Sequence, residues 1–76
     1  MKRLDYEGYT MDAEAVNFIG KAEYSRGNGG EGSYCFRLII NGSVVWMGSS
    51  PNLGEAAEKR NHFLNLWEIA LAEGIK

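Results

Sequence analysis

His62 is the one histidine and Cys35 the one cysteine of the 76 residues, so a nucleophile–base pair or a zinc site would have to be built around these two. Nucleophilic catalysis needs a thiol or hydroxyl held within hydrogen-bond reach of a base, with a third group orienting that base. No such third group stands near either residue, and one His with one distant Cys offers none of the local ligand spacing of a zinc site. Asp5, Glu7, Asp12 and Glu14 cluster near the start, but without the alternation of a calcium loop, and they read as a solvated acidic segment. Gly27, Gly29 and Gly32 do fit G-x-G-x-x-G. A dinucleotide site would need that loop to run from a strand into a helix, and a kinase would need a catalytic loop and a metal-binding aspartate that find no room here. The expectation is no enzyme, no metal and no cofactor.

The chemistry that remains is that of contact. Tyr34–Ile40 and Ser43–Ser49 are two β-rich runs joined by Asn41-Gly42, the favoured pair for a type I′ hairpin turn. A two-residue turn fixes the register, with Ile40 facing Ser43, Ile39 facing Val44, Leu38 facing Val45, Arg37 facing Trp46 and Phe36 facing Met47. Facing pairs share a side of the sheet. One side then carries Phe36, Leu38, Ile40, Val45 and Met47, which belongs to a core. The other carries Cys35, Arg37, Ile39, Val44 and Trp46, an apolar side on which Arg37 stacks against Trp46.

Upstream, Val16, Phe18, Ala22 and Tyr24 alternate with polar residues as a half-buried strand would, with a bulge at Gly20. Residues 27–33 form a flexible glycine-rich hairpin loop, and 1–14 an irregular segment or short extra element. Downstream, Asn52 to Glu73 reads as one amphipathic helix, opened by a capping box of Asn52 with Glu55 and closed by Gly74. Leu53, Ala56, Ala57, Phe63, Leu64, Trp67, Ala70 and Leu71 fall on its core face, with the stem of Arg60 laid along it. His62, Leu66 and Ile69 fall together on the opposite face, where a surface helix is usually polar. The architecture expected is α+β: one domain over 1–76, a three-stranded antiparallel meander with a C-terminal helix on one face. The alternative to two exposed surfaces is that the N-terminal residues fold back over one of them, with Leu4, Tyr6 and Tyr9 as cover.

Eight basic against ten acidic residues give a net charge of −2, which disfavours a general polyanion binder. No apolar run approaches the roughly 20 residues of a membrane span, no export signal follows Lys2 and Arg3, and one cysteine forms no internal disulfide. A cytoplasmic protein without membrane contact is expected.

Three resemblances bear on this reading. Phe36-Arg37-Leu38, Asn41-Gly42 and Ala57-Glu58-Lys59 resemble the strand, turn and helix motifs of the small YegP-like domains. That family usually packs two copies together, which implies a homodimer for a chain with one. The β-β-β-α order over Tyr24 to Leu71 is similar to the C-terminal part of double-stranded-RNA-binding domains. Aligning Asn52 and Glu55 on that family's cap puts Leu53 and Gly54 where its phosphate-gripping lysines stand, so the topology carries over and the binding residues do not. In size, charge and build the chain is also similar to phage-encoded anti-CRISPR inhibitors of host defence, a comparison of architecture alone. The two apolar surfaces that the fold leaves unexplained point to a non-catalytic module that occupies a protein partner, as a phage-type inhibitor of host defence would, or associates with itself. Its contact residues would be Arg37, Ile39, Val44 and Trp46 on the sheet and His62, Leu66 and Ile69 on the helix. The alternative is a weak binder of single-stranded or structured nucleic acid through Trp46, Arg37, Tyr34 and Lys21.

Overall fold

Two tight turns of the same geometry organise the strands. The computed structural model describes residues 2–26 and 32–73. These form β1 (Arg3–Tyr6), β2 (Tyr9–Asp12), a 3-10 turn (Ala13–Ala15), β3 (Val16–Ser25), β4 (Ser33–Ile40), β5 (Ser43–Ser50) and α1 (Leu53–Glu73). Asn41 and Gly42 have φ of 50° and 84°, and Glu7 and Gly8 have 49° and 82°. Both pairs make the doubly left-handed turn whose twist matches that of paired strands. A glutamate is an unusual residue for that backbone. Its side chain offsets the strain, because Glu7 Oε1 accepts a hydrogen bond from the Gly48 N–H at 2.9 Å.

β3, β4 and β5 pair antiparallel in that order, and β1 and β2 form a separate two-stranded sheet. The β4–β5 register is the one a two-residue turn dictates, from Ile40 opposite Ser43 to Phe36 opposite Met47. The segment expected to be irregular or a short extra element is a hairpin and one 3-10 turn. Of the expected loop at 27–33, residues 27–31 lie outside the described residues, as does most of the glycine motif, while Ser33 already belongs to β4.

β3 departs from simple alternation at two register shifts, between Val16 and Phe18 and between Ile19 and Ala22. Each admits one extra residue on β3, and each extra residue turns the side chains beyond it to the other face. Gly20 sits in the second shift, as expected of a bulge. A Cβ there would stand 3.2 Å from both the Arg37 carbonyl oxygen and the Phe18 ring. Phe18 consequently leaves the face of Val16 and pairs with Ile39, where strict alternation kept it beside Val16, Ala22 and Tyr24.

The core lies between the sheet, α1 and the N-terminal hairpin. Phe36, Leu38 and Met47 rise from the sheet, Ala56, Phe63 and Ala70 from the helix, and Leu4, Tyr6 and Met11 from the hairpin, all buried. The Tyr6 ring meets Phe63 edge-on at 5.2 Å and lies 6.2 Å from Phe36, and its hydroxyl donates to the Lys59 carbonyl at 3.1 Å. Burial pushes the Tyr6 hydroxyl pKa up, and the charge of Glu7 adds to the effect. α1 starts with one of the two bonds of a capping box, Asn52 Oδ1 accepting from the Glu55 N–H at 2.9 Å. The Arg60 Nε–H donates to the carbonyl of bulged Gly20 at 2.6 Å, and the Trp67 indole N–H to the Ala13 carbonyl at 2.9 Å. Leu53, expected on the core face, is half-exposed, because it is the first helical residue and burial begins one turn later at Ala56. Among the described residues, no helix is long and apolar enough to cross a membrane.

Candidate docking face

The hairpin covers the helix side of the molecule and leaves the far side of the sheet open. Leu4 and Tyr6 are buried against Phe36 and Phe63, whereas Tyr9, expected to share in the cover, is exposed. Of the two surfaces that Leu4 and Tyr6 could cover, they take the helix side and leave the sheet side open. The reason is register: Leu4 and Tyr6 share one face of the hairpin with Met11, and that face meets the helix.

On the open side, pairing sets Phe18, Ile39 and Val44 in one row, with Arg37 and Trp46 in the next. Phe18 is 44%, Trp46 43% and Val44 53% exposed on the outer strands β3 and β5. Ile39 and Arg37 are partly buried among them. The Arg37 guanidinium carbon lies 5.4 Å from the Phe18 ring centre and 6.0 Å from that of Trp46, so the cation is flanked by two aromatic faces. Its Nε is enclosed and has no hydrogen-bond partner among the described residues. Such a group costs about 1–3 kcal/mol until something supplies an acceptor.

The sequence placed Arg37, Ile39, Val44 and Trp46 together, and the structure brings them together. It adds Phe18, which simple alternation hid. The available signal was Gly20, since a bulge at a glycine inverts the facing of its neighbours.

The helix residues do not stay together. Leu66 packs against the core beside the hairpin, His62 is exposed with its ring 6.1 Å from that of Tyr6, and Ile69 is exposed. A stripe that looks outward on an isolated helix becomes partly interior once a hairpin lies along it.

Cys35 is buried, and its thiol pKa is raised by burial and then by the charge of Glu23, against a hydrogen bond from Ser25. A thiol so placed is a poor nucleophile at neutral pH. Among the described residues, no three His, Cys, Asp or Glu side chains come close enough to hold a metal ion.

The fold and this face define a small α+β module whose sheet is structural on one side and uncovered on the other. No family model, curated protein or solved structure matches the chain, so the YegP-like and double-stranded-RNA-binding resemblances stand on the motifs quoted for them.

Proposed function

We propose that this chain is a non-catalytic protein-binding module whose contact surface is the open side of the sheet, centred on Arg37 between Phe18 and Trp46. The observation that carries the reading is the Arg37 guanidinium flanked by the exposed rings of Phe18 and Trp46. Aromatic and arginine side chains are enriched at the centres of protein interfaces, where they bury large areas. A partner carboxylate would meet the Arg37 cation while apolar groups cover Ile39 and Val44. The module acts by occupancy, which is sufficient for an inhibitor of a host complex of the kind its phage-like build suggests.

The test is site-specific photo-crosslinking in the source cells, with Trp46→benzoylphenylalanine compared with the same replacement at Glu68 on the exposed helix face. The expected result is one protein adduct from position 46, lost when Arg37→Glu is added, and none from position 68. Equal adducts from both positions would contradict the proposal. A nuclease-sensitive adduct from position 46 would instead assign the face to single-stranded nucleic acid, for which the same two rings and cation would serve as a stacking platform.

A further inference from the structure

The turn that fixes the register of β4 and β5 also holds two residues whose own atoms can react with each other. The side-chain amide carbon of an asparagine is open to attack by the backbone nitrogen of the next residue, most of all when that residue is glycine and no Cβ shields the nitrogen. Among the described residues only Asn41 is followed by glycine, whereas Asn17, Asn52, Asn61 and Asn65 precede Phe18, Leu53, His62 and Leu66. Asn41 and Gly42 are exposed, and a Cβ added to Gly42 would meet nothing within 4 Å. Water reaches both residues.

Backbone geometry decides whether the two groups meet. The φ values of 50° and 84° are those of the mirror image of a type I turn, in which ψ of the first central residue is about +30°. Closing a five-membered ring requires the Gly42 nitrogen to eclipse the Asn41 Cβ about the Asn41 Cα–C bond. The turn holds them nearly opposite. It is kept shut from both sides, since the Asn41 N–H donates to the Ala15 carbonyl at 3.1 Å and Ile40 pairs with Ser43. Attack therefore waits for the turn to open.

We infer that Asn41 is a hydrolytic modification site that the folded turn shields, so that opening of the β4–β5 hairpin leads to a chemical change the chain does not reverse by refolding. In the open turn the Gly42 nitrogen gives its proton to a base in solvent and bonds to Asn41 Cγ, and the side-chain nitrogen leaves as ammonia. A succinimide results. One water then adds to either ring carbonyl and breaks its bond to nitrogen, giving aspartate or isoaspartate. Isoaspartate runs the main chain through Cβ, which puts one more atom into a turn built for two residues. The pairing of Ile40 with Ser43 and the tie to Ala15 are then lost together, and a negative charge is added to a chain of net −2. The next pair, Ile39 with Val44, belongs to the open face. Loss of binding there is the one consequence that rests on the proposed function; the reaction and its shielding do not.

The test incubates the full chain in mildly alkaline buffer, folded and in urea, and follows the peptide containing position 41 by mass and by isoaspartate content. Digestion separates it from the peptide with Asn28-Gly29, which lies outside the described residues. The expected result is conversion at Asn41 at least about tenfold slower in the folded chain than in the unfolded one. Equal rates would overturn the shielding, and an unfolded chain that does not convert would overturn the site. The purified isoaspartate chain is then unfolded in urea beside Asn41→Asp, which carries the same charge on an unaltered backbone that suits this turn. Asn41→Asp should keep a midpoint close to that of the wild type, and the isoaspartate chain should unfold at clearly lower urea. Coincident midpoints for the two would overturn the claim that the modification breaks the turn.

Discussion

Tyr6 joins the three parts of the core, and its chemistry gives a testable pH dependence. Its ring touches Phe36 of the sheet and Phe63 of the helix, and its hydroxyl bonds to the Lys59 carbonyl. Because its folded pKa is raised above the ordinary tyrosine value, the folded state favours the protonated phenol. That contribution is fully present below the unfolded pKa of about 10 and is lost as pH rises through the higher folded value. Urea unfolding on either side of that window should show wild-type stability falling and Tyr6→Phe falling less. At neutral pH, Tyr6→Phe should cost about 1 kcal/mol for the lost hydrogen bond. Cys35 offers a second residue-scale check. Its raised thiol pKa and burial predict labelling by iodoacetamide at neutral pH far slower than that of the urea-unfolded chain, measured by mass.

Among the elements, the β4–β5 hairpin and α1 were legible in the sequence because their signals are local. Asn41-Gly42 fixes a turn, the turn fixes a register, and Asn52 with Glu55 fixes a helix start. Asn52→Ala should therefore cost about 1 kcal/mol in urea unfolding, through the loss of one cap bond. Of the N-terminal hairpin a short extra element was legible but its turn was not, because Glu7 takes its left-handed backbone with help from Gly48, far along the chain. Phe18 was misplaced for a related reason: two bulges in β3 turn a regular alternation over, and only the one at Gly20 is marked by a glycine. Gly20→Val tests that bulge. Its side chain would push on the Arg37 carbonyl and the Phe18 ring, with an expected loss of roughly 1–3 kcal/mol and a shift in the Trp46 fluorescence as the sandwich opens.

At the scale of the whole molecule, helix and hairpin form one layer on one side of the sheet, and nothing described covers the other. The sequence made the apolar character of that open side visible, since a two-residue turn dictates which side chains share it. Which surface the N-terminal residues would cover was not visible, because that depends on how two separate elements dock. The division of labour between the two sides is the central claim, and it makes the sides unequal in stability. The most direct measurement is the unfolding free energy in urea of Val44→Thr with Trp46→Thr, set beside Phe63→Ala. Threonine keeps the strand propensity, so the paired change on the open side should cost less than about 1.5 kcal/mol. Removing the buried Phe63 ring should cost about 3–5 kcal/mol. A loss from the open side as large as that from Phe63 would mean that the Trp46 surface holds the fold together, and would contradict its assignment as a surface kept for another molecule.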